Sequence, residues 1–168
     1  MRSAQLDRAP ETPTERTTTT LDLFEQLSSK RRHFAVLGAT IDIHVTREET
    51  AGAFSQIELR VPPCFPGAPA HLHEKMPESF YMLEGRIEVL KGDRWSELRP
   101  GQSIAIAPGT IHAYRNHTEE YARFLVTAPG HDRYFVELAE WMHREPVWPP
   151  TDREALRAFG RRHDTIYL

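Results

Sequence analysis

Four Pro-Gly pairs divide the stretch from Pro66 to Gly130 into short segments, and this density of turns constrains the fold more than any other feature. Pro presets one backbone angle of a turn, and Gly adopts the conformations that other residues avoid, so each pair ends a strand or a helix. The runs between the pairs are rich in β-branched and aromatic residues and are too short for long helices. The sequence therefore predicts an all-β sandwich or barrel.

Alternation of side chains locates the strands of this barrel. In 52–61, Ser55, Ile57, Leu59 and Val61 face one side of a strand. Six further strand regions are expected: 34–45, 78–90, 95–98, 102–107, 111–116 and 121–128. Gly38 interrupts the region 34–45, which is expected to form two strands or one with a bulge, and the hairpin turn Gly92-Asp93 follows the region 78–90. The core of the barrel is thus predicted over about residues 34–128.

After Pro129-Gly130 the apolar residues repeat at helical spacing. One helix is predicted over 133–143, and a second is predicted to begin at Thr151, where Glu154 completes a capping box and Leu156 and Phe159 are the expected buried positions. We expect these helices, over about 131–163, to cover the barrel or to extend a dimer contact, without a catalytic role.

The N-terminal part is predicted to be separate from the barrel. Residues 1–20 are polar, with a run of four threonines, and are expected to form a flexible tail. A short helix is expected over 21–29, with Leu21, Phe24 and Leu27 on one face. The predicted organisation is therefore a tail over 1–20 and a single domain over 21–168.

Charge and cysteine content exclude several classes of function. The net charge is −3 and the basic residues are scattered among acidic ones, so nucleic acid is not an expected partner. The N-terminus lacks the apolar core of a signal peptide and no stretch is long enough to cross a bilayer, which favours a soluble cytoplasmic protein. Cys64 is the single cysteine, so an internal disulfide and a thiolate metal cluster are excluded, and a buried inert thiol is expected.

Three histidines and one glutamate form a candidate metal site. His71 and His73 share one face of a strand because they are two residues apart. Glu78 would face the other side of an unbroken strand, but Pro77 favours a bend that turns it back. His112 begins a strand after a separate turn. Three imidazoles and one carboxylate suit one divalent ion of Zn, Fe, Ni, Mn, Co or Cu, without selecting among them.

The other histidines lack a partner at ligand spacing. Surface roles are expected for His117 and His131, and no site role is assigned to the remaining four, His33, His44, His143 and His163.

Alternation also predicts the residues around the site. If Glu78 points inward, Phe80 and Met82 do so too. If His112 points inward, Tyr114 and Asn116 also point inward. Phe80, Met82 and Tyr114 then form an apolar wall suited to a planar aromatic substrate, unless they are plain barrel core. Asn116 is expected to be a hydrogen-bonding residue at the end of its strand.

Two linked motifs resemble those of the cupin superfamily. The first runs from His71-Leu72-His73 through Glu78 to Gly85, and the second from Gly101 through Pro108-Gly109-Thr110-Ile111-His112 to Asn116. Within the superfamily, segments 80–85 and 112–116 resemble small single-domain proteins similar to quercetin 2,3-dioxygenases. The resemblance implies a cupin (jelly-roll) β-barrel with C-terminal helices, and a metal held by His71, His73, Glu78 and His112.

Because the cupin fold hosts many reactions, three functions stay open. The first is a metal-dependent dioxygenase that acts with O₂ on a flavonol-like or other enolic small molecule, with Glu78 as ligand and proton acceptor. The second is a redox-neutral isomerase or cyclase with a polyketide-type substrate, and the third is a non-catalytic binding protein. A homodimer is expected. Whether Glu78 is a permanent ligand or a base stays open as well.

Overall fold

The computed structural model describes residues 32–145 and 147–168 of the chain. The predicted tail over 1–20 and the predicted helix over 21–29 lie outside these described residues. Within the described residues, no helix is both long enough and apolar enough to cross a membrane.

Eleven strands and two helices occupy the described residues. The strands are Arg32–Val36 (β1), Ala39–Val45 (β2), Ser55–Val61 (β3), His71–Leu72 (β4), Glu78–Glu84 (β5), Ile87–Lys91 (β6), Arg94–Leu98 (β7), Ser103–Ile106 (β8), His112–Arg115 (β9), Ala122–Ala128 (β10) and Ile166–Tyr167 (β11). The helices are His131–Arg144 (α1) and Arg153–Arg162 (α2).

The strands form two antiparallel sheets, which confirms the predicted all-β jelly-roll class. One sheet has the order β1-β2-β3-β10-β5-β8 and the other the order β11-β4-β9-β6-β7. The alternation predicted for β3 is observed, because Ser55, Ile57, Leu59 and Val61 are all buried. Each large apolar side chain buried in this way stabilises the fold by about 1.5–3 kcal/mol.

The interruption predicted at Gly38 separates two strands, and the single strand predicted over 78–90 is also split in two. The segment 34–45 forms β1 and β2, joined by a two-residue turn at Leu37 and Gly38, which both have positive φ. The segment 78–90 breaks at Gly85, so that β5 and β6 lie in different sheets. Gly85 has a φ of +70°, and a Cβ there would lie 2.5 Å from the carbonyl oxygen of Tyr121. The chain therefore crosses between the sheets at a point that admits no side chain.

The C-terminal helices begin at other residues than expected. Helix α1 starts at His131, directly after Gly130. Helix α2 is capped by Asp152 and not by Thr151, because the Asp152 carboxylate accepts hydrogen bonds from the backbone N–H groups of Glu154 and Ala155. Of the two buried positions predicted in α2, Phe159 is buried and Leu156 is half-buried.

The prediction that the Cys64 thiol is buried is wrong. Cys64 is exposed, with a φ of 53°, in the turn that follows β3. The prolines around Cys64 predict only that β3 ends before it. The turn that they form directs the Cys64 side chain outward.

Strand β11 was not predicted, because two residues carry no measurable periodicity. It pairs with β4, placing Tyr167 opposite His71. The segment that leads into β11 folds back over α2 at Gly160, where a Cβ would lie 2.6 Å from the carbonyl oxygen of Thr165 and 2.8 Å from the ring of Tyr167. A glycine inside this helix thus allows the C-terminal strand to approach β4.

We predict that Gly160→Ala lowers the free energy of unfolding by about 1–3 kcal/mol, the usual cost of inserting a group into a packed space. At an open helix position the same change would stabilise the protein by about 0.5–1 kcal/mol, so the sign of the effect is diagnostic. Urea denaturation followed by circular dichroism measures it, and a more stable variant would contradict the packing described for Gly160.

Candidate metal centre

Strand pairing brings the four predicted ligands together. His71 on β4 pairs directly with His112 on β9, and His73 follows β4. Glu78 begins β5 in the other sheet. All four side chains are buried, and each offers a ligand atom within 4.8 Å of the others. The cluster therefore lies inside the barrel, between its two sheets.

The bend between His73 and β5 is held from the C-terminal segment. The carboxylate of Asp164 accepts hydrogen bonds from the backbone N–H groups of Glu74, Lys75 and Met76, at 3.1, 2.9 and 2.8 Å. Its backbone carbonyl accepts a further hydrogen bond from Nδ1 of His73, at 2.8 Å. Asp164 thus fixes both the bend that turns Glu78 inward and the orientation of one histidine.

Each ligand histidine is oriented by a hydrogen bond from Nδ1 to a backbone carbonyl. A carbonyl only accepts, so Nδ1 carries the hydrogen and the neutral ring presents a lone pair at Nε2. The pairs are His71 with Pro69 at 2.8 Å, His73 with Asp164 at 2.8 Å and His112 with Thr110 at 2.9 Å.

The inward-facing atoms lack hydrogen-bond partners among the described residues. Nε2 of His73, Nε2 of His112 and Oε2 of Glu78 are all fully buried without such a partner. Oε2 lies 2.8 Å from Nε2 of His112 and 3.7 Å from Nε2 of His73. Lone pairs that face one another at these distances in a buried site repel, and a shared cation removes the repulsion. The donor set therefore fits a divalent metal ion.

The pKa shifts of His71 and Glu78 favour the forms that bind metal, whereas the shift of His73 favours its protonated ring. Burial and the nearby charge of His112 lower the pKa of His71 to about 4, so its ring is neutral at pH 7. Burial alone would raise the pKa of Glu78, but the charge of His131 and the contacts from His112 and His131 bring it well below its usual range. Burial would lower the pKa of His73, yet Glu78 raises it above its usual value. The Glu78 carboxylate thus attracts positive charge to this position.

His131 is part of the site, and the surface role predicted for it is wrong. It is 7% exposed, and its Nε2 lies 2.9 Å from Oε1 of Glu78, the carboxylate oxygen that does not face His112. It is the first residue of α1, so the start of a helix that had been assigned only packing contacts the site. Asp132 anchors this start, because its carboxylate accepts from the backbone N–H of Arg47 at 3.0 Å.

A cavity of about 630 Å³ opens onto the cluster, and His71, His73 and Glu78 form part of its wall. The rest of the wall is mainly apolar and includes Phe80, Tyr114, Phe135 and Leu138. Of the four predicted pocket residues, Phe80 and Tyr114 therefore line this cavity.

The other two predicted pocket residues lie elsewhere. Met82 is fully buried in the core, two residues further along β5, and does not line the cavity. The side chain of Asn116 donates hydrogen bonds to the carbonyls of Pro62 and Glu120 and accepts one from the backbone N–H of Thr118. Asn116 thus joins the loops at the end of β9, as expected for a residue at a strand end. Alternation correctly predicted that both side chains point into the barrel, but it did not predict that they lie beyond the cavity.

Comparisons with known proteins support the cupin superfamily. Residues 58–128 match the family model described as Cupin domain. No curated protein matches the sequence. Among solved structures, the polyketide cyclase RemF from Streptomyces resistomycificus is 28% identical, with a TM-score of 0.52, over 60% of this chain and 75% of that one.

Two more distant structures share the fold. A predicted oxalate decarboxylase from Thermotoga maritima is 17% identical, with a TM-score of 0.51, over 61% of this chain and 96% of that one. The Bacillus subtilis oxalate decarboxylase, described with Mn(II) centres, is 21% identical, with a TM-score of 0.52, over 61% of this chain and 28% of that one. The narrower resemblance to quercetin 2,3-dioxygenases stays a prediction.

We predict that His112→Ala abolishes metal binding but leaves the barrel folded, because His112 lies at the centre of the cluster while the apolar core remains intact. Elemental analysis after purification in metal-supplemented medium measures the loss, and circular dichroism verifies the fold. His117→Ala, at an exposed histidine of the following loop, is the matched control and should keep its metal. A folded His112→Ala variant with full metal content would refute the site.

We also predict that His131→Phe weakens metal affinity by about 10-fold or more, the usual cost of losing a hydrogen bond that orients a ligand. Competition with a chromogenic chelator measures the affinity. His143→Phe, at an exposed position near the other end of α1, is the control. Equal affinities in the two variants would show that His131 does not orient Glu78.

Proposed function

We propose that this cupin-fold chain is a metal-dependent enzyme that acts on an enolisable, planar aromatic small molecule of the polyketide type. We propose redox-neutral ring closure or isomerisation as its reaction. The observation that carries the proposal is the position of a buried three-histidine, one-glutamate cluster in the wall of a largely apolar cavity of about 630 Å³. Such a cavity removes a flat apolar molecule from water and leaves its oxygen atoms to the polar cluster.

His71, His73, His112 and Glu78 are the residues that would hold the metal. A bound divalent ion would act there as a Lewis acid that lowers the pKa of an enolic hydroxyl group. The histidine Nδ1–H groups remain committed to backbone carbonyls, so the imidazoles hold their orientation during turnover. The apolar wall excludes water and strengthens the electrostatic interactions inside the cavity.

Glu78 is the proposed proton acceptor. Its Oε1 is occupied by His131, while Oε2 lacks a hydrogen-bond partner within the described part of the chain. A C–H bond between two carbonyl groups would give its proton to Oε2, and the resulting carbanion would form a C–C bond to the carbon of a third carbonyl group of the same substrate, whose C=O bond becomes an alkoxide. Return of the proton to the new alkoxide and loss of water would complete the ring without any change in oxidation state.

Redox-neutral chemistry is favoured over oxygenation by one comparison. The polyketide cyclase has the highest sequence identity of the three structures described above, and its name specifies ring closure of a polyketide. The cavity suits the same class of substrate, because its wall is apolar and its polar groups are concentrated at the cluster.

Dioxygenation of an enolic or flavonol-like substrate is the second candidate. It is supported by the resemblance of segments 80–85 and 112–116 to quercetin 2,3-dioxygenase-like proteins and by the donor set, which suits redox-active Fe, Mn, Ni, Co or Cu as well as Zn. In this reaction Glu78 would accept the proton of the enolic hydroxyl, and both atoms of O₂ would enter the substrate.

The oxygen requirement separates the two reactions. We expect protein loaded with Zn, which has no redox chemistry, to cyclise an aryl 1,3-diketone that carries a third ketone group within reach of ring closure, without O₂. We expect Glu78→Gln to reduce the rate by at least about 100-fold, as for loss of a general base. Product analysis by mass spectrometry under anaerobic and aerobic conditions measures both. Glu74→Gln, at an exposed carboxylate of the adjacent bend, is the control.

The remaining outcomes identify the alternatives. Oxygen consumption with 3-hydroxyflavone, confined to protein loaded with a redox-active metal, would replace the proposed cyclisation with dioxygenation. Tight binding of these compounds with recovery of unchanged ligand under every condition would instead indicate a binding protein.

A further inference from the structure

Two tyrosine hydroxyls meet in the wall of the cavity. Tyr134 comes from the first turn of α1 and Tyr167 from β11, and their hydroxyl oxygens are 2.6 Å apart. Both residues line the same cavity as the metal cluster. We refer to them as the tyrosine pair.

One proton of the tyrosine pair has no acceptor in residues 32–145 and 147–168. Two hydroxyl groups carry two protons, and the hydrogen bond between them uses one. Neither hydroxyl makes a second hydrogen bond to the described part of the protein. Burial raises the pKa of both tyrosines above its usual value, so both groups keep their protons at neutral pH. The pair therefore has one O–H proton to donate to another molecule.

The tyrosine pair is directly beside the candidate metal centre. The ring of Tyr167 lies 6.1 Å from that of His71, and the ring of Tyr134 lies 6.0 Å from that of His131. A small aromatic molecule that places one oxygen atom at the cluster can therefore present a second oxygen atom to the pair.

We propose that the tyrosine pair is a carbonyl-binding subsite that donates a hydrogen bond to a ketone oxygen of the substrate. This inference rests on the proposed function and narrows its substrate class to aromatic compounds with two oxygen atoms, of which one binds at the metal cluster and the other is the carbonyl at the pair. The donation from one tyrosine to the other strengthens the donor, because hydrogen bonds in a chain polarise one another.

A purely structural role is the competing explanation. The hydroxyl bond also joins β11 to α1, and it would do so without any substrate. The two roles differ in one measurable respect, because a structural bond affects all ligands of the cavity equally, whereas a carbonyl subsite affects only those with a carbonyl group.

The experiment compares 2-acetylnaphthalene with 2-ethylnaphthalene, two ligands of similar shape that differ in one carbonyl oxygen. Their dissociation constants are measured by naphthalene fluorescence with the full-length chain as purified and after chelator treatment, so that binding of the carbonyl to metal is separated from binding to the pair. The variants are Tyr134→Phe, Tyr167→Phe and the double variant. Tyr81→Phe, at an exposed tyrosine of β5 outside the cavity, is the matched control.

We expect the preference for the ketone, expressed as the ratio of the two dissociation constants, to fall by about 3- to 10-fold in the double variant, the net effect of one neutral hydrogen bond. Tyr81→Phe should leave the ratio unchanged, and all variants should retain the metal content of the wild-type protein. If the double variant does not fold, each single variant should still lower the ratio, by less than the double variant, because the hydroxyl that remains donates without the polarisation that its partner supplies.

Two results would contradict the proposal in different ways. An unchanged ratio in a folded variant that binds both ligands would refute the carbonyl subsite and leave the proposed function intact. Failure of the wild-type protein to bind either naphthalene would instead refute the proposed aromatic substrate class, and the subsite with it.

Discussion

The structure depends on a cluster of electron-pair donors that is unfavourable without a cation. Three imidazole nitrogens and a carboxylate oxygen converge within 4.8 Å in the interior of a barrel, and all four side chains are buried. Burying such groups without partners costs several kcal/mol, since about 1–3 kcal/mol is lost for each unsatisfied polar group. The surrounding protein therefore has to hold these atoms in place against their mutual repulsion. Strand pairing between β4 and β9, and the hydrogen bonds from every Nδ1 to a carbonyl, meet this requirement.

The segment after α2 is as important to this arrangement as the barrel strands. Asp164 closes the bend that carries Glu78 back toward the histidines, and Tyr167 pairs with the strand that contains His71. Gly160 leaves the space that this segment needs. The C-terminal part of the chain thus joins the site to α2, because the residues that orient the ligands belong to the segment that packs against Gly160.

The barrel and the four candidate ligands were predictable because their signals are local. Turn-forming pairs mark strand ends, alternation marks the buried face of β3, and two histidines separated by one residue share a face whatever the remainder of the chain does. His131, Asp164 and β11 carry no such signal, since each acts through a contact with a residue more than 50 positions away in the sequence. Met82 shows the related limit of alternation, which predicts the side of a strand that a residue faces but not whether a cavity extends that far.

The two oxygens of Glu78 have different surroundings, which would allow one carboxylate to serve both as ligand and as base in the proposed reaction. His131 binds Oε1 from the side of α1, so the carboxylate stays oriented even when Oε2 changes partner. Oε2 faces the histidines at 2.8 and 3.7 Å, within reach of a metal, and belongs to a residue that lines the cavity, where substrate would be bound. A glutamate held through one oxygen would keep its orientation whether the other oxygen held a metal or a proton. The ambiguity left by the sequence, permanent ligand or base, thus has a structural basis, because the two roles need the same oriented side chain.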